Sequence, residues 1–527
     1  MQKREMLPVI PYETALQWQA ISVDLENDKP KDECGVFGFQ FSSDMQVLHP
    51  EYAEKLPYIL FDGMHQNQNR GESSAGIAVV HNGEVFEYKG LGLVSVLYKK
   101  YDDAVKTENT ETKNLHGYGG IGHNRYPTTG AKRDAEGLKN AGPFTEYNKD
   151  LGPVAVAHNG NIINAKELRR QLIDRGYILD ATTDSQVIAA VIADAPGETW
   201  EEKAAFGLRK LKGSFSLVFK TLNGLLAARD TSGNKPLFMA RFAAGVAFSS
   251  ETPALSRYTS EFEEIAPGEI VSYSGREVIK YTYANVTERR MCAIDYIYLE
   301  NEAGEGVDSL RRLQGNMLAR EYPMPKGPSY VVSFLPNSGE IFAQGYAEAL
   351  SQQLGEYIPP QRILLKNRYG MLNGQNKGFI QPDQEDRSSM SYFALDLLKE
   401  LKQRSLSGEN IELILLDDSI VRGTTLRKTI HQIRQFVGNI KIHLRIALFP
   451  ISEECPFGVD IAKEQGLIFD KCNKNKEEVA RSLGVDSLEY STVEQLETSV
   501  QTVFGADRHV CSGCHDRNYS QLIYQSA

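Results

Sequence analysis

Two adjacent carboxylates close an apolar run at residues 411–418, IELILLDD, and the next turn, SIVRGTT (419–425), brings hydroxyls, a cation and a glycine ahead of a segment with helical period. A buried strand that ends in acids and turns directly into a helix can carry a ligand site. Asp417 and Asp418 stand where they could hold ribose hydroxyls and a Mg²⁺ ion. The backbone N–H groups of Arg422, Gly423, Thr424 and Thr425 would face an anion, with the helix dipole favouring negative charge. In an open α/β sheet, ligands bind at the carboxyl ends of the strands. The competing reading is a solvated Asp-Asp turn before a helix N-cap, but strand, acids, Gly and Thr-Thr come in the order a sugar-phosphate site needs.

The elements that must position these residues belong to a chain of 527 residues, too long for one core and suited to two large or three ordinary domains. Its apolar runs fall well short of the roughly 20 residues a membrane span needs. The first 33 residues lack a continuous apolar core and a small-residue cleavage site, so no secretory signal and no membrane partner are expected. The net charge of −11 argues against nucleic acid, whose phosphates call for clustered Lys and Arg. Six cysteines in a chain this long, without a signal, do not make a disulfide framework. They are expected to serve chemistry or metal binding in a reducing cytoplasm.

In the first half, KDECGVFG (31–38) opens a strand with Cys34, which alone would be read as packing. Three polar loops follow between apolar segments, at HQNQNRGESSAG (65–76), GHNRYPTTG (122–130) and AHNGN (157–161), and TTDS (182–185) caps the next helical stretch. Functional groups concentrate on such scaffold-held loops. Together, over about residues 34–275, these motifs resemble the class II glutamine amidotransferases, whose glutaminase domain is an N-terminal-nucleophile fold of four αββα layers. The resemblance implies removal of a propeptide, 1–33, which leaves Cys34 as the N-terminal residue with its own α-amino group as base. It implies an oxyanion site at Asn159 and the Gly160 N–H, with Arg125, beside Tyr126, on the glutamine carboxylate and Asp184 on its ammonium group. Position 69 departs from the family, carrying Asn where His is usual. Hairpins at 223–271, punctuated by Gly and Pro, look like the end of the glutaminase sheet.

Beyond 276–292 strands and helices alternate to the C-terminus, as in a doubly wound α/β domain, here 276–527. Segment 411–425 resembles the phosphoribosyl-diphosphate (PRPP) loop of type I phosphoribosyltransferases. With CAIDYIY (292–298), LPNSG (335–339), GYA (345–347), KNRY (366–369), FIQP (379–382), CPFGVD (455–460) and GVDSL (484–488), the chain resembles the glutamine PRPP amidotransferases. That resemblance implies synthesis of 5-phosphoribosylamine from glutamine and PRPP, the first step of purine synthesis. It implies a pyrophosphate loop at Ser338 and Gly339, Mg²⁺ among Ser338, Asp417 and Asp418, and a 5′-phosphate cradle at Arg422–Thr425, with Ser419 also binding PRPP. It also places Cys292, Cys455, Cys511 and Cys514 at the ligand positions of a [4Fe–4S] cluster found in one branch of the family. Spacing alone suits a structural Zn²⁺ equally. A homo-oligomer, dimer or tetramer, is the expected assembly.

The departures gather at Asn337, where the family has Asp, and in 370–403. There a basic closing loop is replaced by a longer segment and by SSMSYFALDLLKELKQ (388–403), which has the period of an amphipathic helix. The alternatives are therefore a paralogue using the same two sites in another pathway, or a non-catalytic PRPP-binding regulator. The acidic balance and the intact glutaminase set oppose the regulator.

Overall fold

The computed structural model describes residues 34–126, 135–286, 288–336, 338–366, 391–461 and 466–519. The expected propeptide, position 337 and most of the 370–403 departure lie outside them. The chain forms two compact units.

The first unit comprises 34–310 together with 453–461 and 496–519. Its strands are β1 (Gly35–Phe41), β2 (Ser74–His81), β3 (Glu84–Leu91), β4 (Gly119–Arg125), β5 (Phe144–Asn148), β6 (Gly152–Ile162), β7 (Gly213–Thr221), β8 (Leu225–Arg229), β9 (Phe238–Phe242), β10 (Gly245–Ser249), β11 (Phe262–Glu264), β12 (Glu269–Tyr273), β13 (Val278–Thr282) and β14 (Arg289–Cys292). The first thirteen build one sheet of order β11-β9-β10-β1-β4-β2-β3 and another of order β13-β12-β8-β7-β6-β5, while β14 belongs to a separate two-stranded sheet. Alternation along β1 explains the layering. Phe37, Phe39 and Phe41 point to a core shared with helices α1 (Leu56–Gln66) and α2 (Val94–Lys106), while Val36 points to a core between the sheets. Gly38 lies on that inner face, where a Cβ would come within 2.6 Å of Val218 Cγ1. The outer face of the second sheet buries α3 (Ala165–Asp174), α4 (Asp184–Asp194) and α5 (Trp200–Leu208). The result is the expected αββα stack. The hairpin β12–β13 pairs Tyr273 with Val278 and so runs across the position where the sequence pattern changes.

Two segments read as loops are strand instead. Residues 122–125 complete β4 and 157–161 lie within β6. Their polar side chains are accommodated because they find partners inside the fold: Asn124 Nδ2 donates to the carbonyls of Met64 (2.7 Å) and Asn67 (3.0 Å), and His123 Nε2 lies 2.9 Å from the His158 carbonyl.

The second unit holds Arg311–Ser452 and 466–495. Its strands are β15 (Ser329–Phe334), β16 (Leu364–Lys366), β17 (Ser391–Phe393), β18 (Ile411–Asp417), β19 (Lys441–Ile446) and β20 (Ser487–Tyr490), with β15-β18-β19-β20 in one parallel sheet. β18 is buried at every position, as a strand covered on both faces must be, and this is why it reads as a continuous apolar run. Leu413 and Leu415 face a core shared with α8 (Leu395–Leu406), α9 (Thr424–Val437) and α10 (Lys476–Leu483). On the other face lies α7 (Gly339–Leu354), packed against α6 (Val307–Glu321) so tightly that a Cβ at Gly345 would overlap the Arg312 carbonyl. The helical reading of 388–403 needs correction. Residues 391–393 pair with 364–366 as a short hairpin ladder, and the helix begins only at Leu395. No helix among the described residues is long and apolar enough to cross a membrane.

Candidate functional site

Cys34 is half-buried at the start of β1. Pairing of Gly35 with Asn124 sets that start beside the Arg125 end of the antiparallel β4. The His123–His158 contact then ties β4 to β6 two residues before Arg125 and Gly160 on each strand. Asp184 opens α4, with Thr183 as N-cap, and its Oδ2 accepts from Ile162 N at 3.0 Å. Thus Cys34, Arg125, Tyr126, Asn159, Gly160 and Asp184 come together at one end of the sandwich.

Within that group the side chain of Asn159 is fully buried, and neither its Oδ1 nor its Nδ2 has a hydrogen-bond partner among the described residues. A buried amide left unsatisfied costs free energy, so such groups tend to mark places where something else must bind. Gly160 has φ +132°, and a Cβ there would lie 2.1 Å from the Ser214 carbonyl, so only glycine lets β6 keep this path. His158 Nδ1 lies 3.1 Å from Ser185 Oγ and 3.7 Å from Asp184 Oδ1. Burial holds its imidazole below the usual range despite Asp184, and burial together with His158 and Arg125 brings His123 down to about 3. Both rings are therefore neutral near pH 7.

Sequence reasoning gave no role to the buried ion cage behind this site. Arg70 donates from Nε to Glu251 Oε1 (2.7 Å) and from one terminal nitrogen to Asp295 Oδ1 (2.8 Å) and Glu300 Oε2 (2.7 Å). Asn69 Nδ2 also donates to Glu251 Oε1, at 2.6 Å, and Lys235 Nζ approaches Asp295 at 3.8 Å. Burial raises Glu251 and Glu300 above the carboxylate range even beside Arg70. The available signal was the Arg-Gly inside 65–76, but nothing local to it points to partners 181, 225 and 230 residues away.

The four cysteines converge in the same unit. β14 pairs in parallel with β21 (Arg508–Cys511), bringing Cys292 opposite Cys511. Cys514 follows in the helical turn Gly513–Asp516, and Glu453 N donates to its carbonyl at 3.0 Å. Cys455 and Phe457 pack with Cys511 and Tyr519, whose hydroxyl donates to the Glu454 carbonyl. Burial pushes Cys511 up to about 11 and lifts Cys514 well above the ordinary thiol range, with the neighbouring cysteines adding to the effect. Three buried thiols and the half-buried Cys455 are a donor set suited to a soft metal centre, which would supply the positive charge that thiolates need. Yet among the described residues no three His, Cys, Asp or Glu side chains are disposed as metal ligands.

In the second unit, the loops after the adjacent strands β15 and β18 meet. Ser338 Oγ donates to Asp418 Oδ2, Ser419 Oγ donates to Asp418 Oδ1 at 2.7 Å, and Asp418 N donates to Asp417 Oδ1 at 2.9 Å. Both acids are buried rather than solvated, which removes the bland reading of the pair. Gly339 starts α7 against the Leu416 carbonyl. Gly423, at φ +70°, turns the chain into α9 without a side chain to cap it, leaving Arg422–Thr425 at the helix N-terminus.

A cysteine-headed αββα sandwich and a parallel sheet with an acid-pair loop define a glutamine amidotransferase joined to a phosphoribosyltransferase-type unit. The glutamine amidotransferase domain family matches residues 136–257. Over 508 residues the chain is 33% identical to the amidophosphoribosyltransferase of Methanocaldococcus jannaschii, covering 92% of this chain and 97% of that protein. With the amidophosphoribosyltransferase of Staphylococcus aureus (strain MRSA252) it shares 34% over 502 residues, covering 94% and 90%. Among solved structures, an allosteric regulatory enzyme of purine biosynthesis superposes with TM-score 0.76 at 28% identity, over 94% of this chain and 97% of the other. The glutamine PRPP amidotransferase from B. subtilis, complexed with ADP and GMP, gives 0.75 at 27%, over 94% and 99%. The chain belongs to the amidophosphoribosyltransferase family.

Proposed function

We propose that this protein hydrolyses glutamine and passes the ammonia to PRPP, yielding glutamate, pyrophosphate and 5-phosphoribosylamine at the entry to purine synthesis. The observation that carries the glutaminase half is the buried Asn159 amide beside Gly160, unsatisfied among the described residues. Removal of 1–33 would leave the Cys34 α-amino group, with a pKa of about 8, to take the thiol proton. The thiolate attacks the glutamine amide carbon, and Asn159 Nδ2 with the Gly160 N–H receives the oxyanion. Ammonia departs, and water hydrolyses the thioester to glutamate. Arg125, beside Tyr126, pairs with the substrate carboxylate and Asp184 with its ammonium group, a combination that selects an amino acid.

At the second site Ser338 and Gly339 bind pyrophosphate, Asp417 and Asp418 orient the ribose, and Ser419 with Arg422–Thr425 binds the 5′-phosphate. Ammonia displaces pyrophosphate at the anomeric carbon, and these residues act by positioning and by stabilising charge. Mg²⁺ held through Ser338, Asp417 and Asp418 would neutralise the leaving pyrophosphate. Cys292, Cys455, Cys511 and Cys514 would hold a [4Fe–4S] cluster, with Zn²⁺ the alternative, as a structural staple; no step passes through it. We place the enzyme in the cytoplasm as a homo-oligomer.

The test is pyrophosphate release from PRPP with glutamine and, separately, with ammonia. Release with both is expected. Glutamine hydrolysis without any PRPP-dependent pyrophosphate would defeat the reading, and active enzyme that retains Met1 by mass spectrometry would defeat the N-terminal-amine step.

A further inference from the structure

The cysteine segments touch the glutaminase site at two separate places. Three residues after Cys292, the single π-helical turn Asp295–Leu299 delivers Asp295, and then Glu300, onto Arg70. Arg70 closes the Asn67–Gly71 turn. That turn lies directly under the nucleophile, since a Cβ at Gly35 would meet Asn67 Cβ at 3.0 Å and Arg70 Cβ at 3.5 Å. The same turn abuts the Arg125 end of β4: a Cβ at Gly71 would sit 2.8 Å from the Arg125 nitrogen, and Ser73 N donates to the Arg125 carbonyl at 3.0 Å. The second contact is made by the loop that carries Cys455. Asn161 Nδ2 donates to the Pro456 carbonyl at 2.8 Å, and Gly458, at φ +106°, lies so close to β6 that a Cβ there would come within 3.2 Å of the Gly160 carbonyl carbon.

We propose that the four-cysteine region braces the glutaminase site, with Asp295 and Glu300 acting through Arg70, and Asn161 through Pro456, as positioning residues for Cys34, Arg125 and the Asn159–Gly160 strand. This rests on the glutaminase reading above and adds to it a dependence of amide chemistry on segments remote in sequence. None of these groups touches the substrate. They act because a buried guanidinium held by several carboxylates fixes its own backbone turn, and that turn carries both ends of the site. Small displacements matter here, because a nucleophile and an oxyanion donor misplaced by about 1 Å can lose on the order of 100-fold in rate.

The experiment uses the full-length enzyme as purified, with variants Glu300→Gln and Asn161→Ala and the conservative Glu300→Asp. Four readouts are followed: kcat and KM for glutamine hydrolysis, Cys34 alkylation by iodoacetamide resolved by peptide mass spectrometry, ammonia-dependent pyrophosphate release, and Tm. In Glu300→Gln and Asn161→Ala, kcat for glutamine should fall roughly tenfold or more while KM moves less than about threefold. Cys34 alkylation should slow in parallel. Ammonia-dependent release should stay within about twofold of wild type, and Glu300→Asp should recover part of the loss. Wild-type kcat and alkylation in folded variants would overturn the proposal. So would equal losses of the glutamine and ammonia reactions accompanied by a fall in Tm, which is what general destabilisation produces. If wild-type enzyme itself fails to hydrolyse glutamine, the functional reading fails, while the alkylation rates of wild type and variants still decide the brace.

Discussion

Asn159→Ala separates catalysis from stability. The native side chain is fully buried with both polar atoms unsatisfied among the described residues, which corresponds to a desolvation cost of about 1–3 kcal/mol at this residue. Alanine removes that cost and leaves a small void, whose lost packing is worth about 1–2 kcal/mol. The two nearly cancel. Stability should change by no more than about 1 kcal/mol, or roughly 2–4 °C in Tm for a domain of this size. Catalysis behaves differently, because the amide meets charge that exists only in the transition state. Loss of one such donor costs on the order of 10²–10³ in kcat, or about 3–4 kcal/mol, with KM for glutamine little changed. The assay is glutamate release at saturating glutamine beside a thermal melt, with ammonia-dependent pyrophosphate release as the internal control. A Tm lower by more than about 8 °C with kcat within tenfold of wild type would refute the reasoning, because it would show that the amide is a packing group.

At the proposed PRPP site, Asp418→Asn keeps the shape that Ser338 and Ser419 bond to but removes the charge, and PRPP affinity measured calorimetrically with Mg²⁺ should weaken by roughly 10–100-fold. In the first unit, burial would raise Glu264, but the ion pairs with Arg229 and Arg508 outweigh it and hold the carboxyl at about 2, below its ordinary 4.5. Its folded-state value is depressed, so its stabilisation is complete above about 4.5 and lost as pH falls towards 2, a contribution of about 3 kcal/mol. Denaturant melts of Glu264→Gln should be lower by up to about that amount at pH 7 and should lack this component of the acid-induced decline. If the four cysteines hold the proposed metal centre, Cys511→Ser should contain less metal than wild type by elemental analysis and should lower Tm; metal content equal to wild type would reject the ligand assignment.

What could be read in the chain depended on whether a residue's partners were near it in sequence. Segment 411–425 was legible because strand, acids, glycine and helix follow one another, and each is dictated by local pattern and by burial of β18 on both faces. The bond from Ser338 to Asp418 completes that site from 80 residues away, and only the family resemblance anticipated it. Polar runs at 122–125 and 157–161 look like loops in sequence for the opposite reason. Their hydrogen bonds cross to α1 and between the sheets, so a polar composition that signals solvent exposure in isolation is satisfied inside strands here. In the same way the hydrophobic period of 388–403 was real, but Phe393 serves a two-stranded ladder and only Leu397, Leu398 and Leu401 serve the helix. The Arg70 cage and the Cys292–Cys511 register lie at the far end of this scale. Each joins segments separated by more than 180 residues, and each is held by groups whose burial composition cannot announce. A charged motif such as Asn-Arg-Gly-Glu therefore reads as a surface turn until the carboxylates that enclose it are seen. That enclosure gives the glutaminase end of the molecule a reason to depend on the four-cysteine region, a dependence with no sign in either stretch of sequence taken alone.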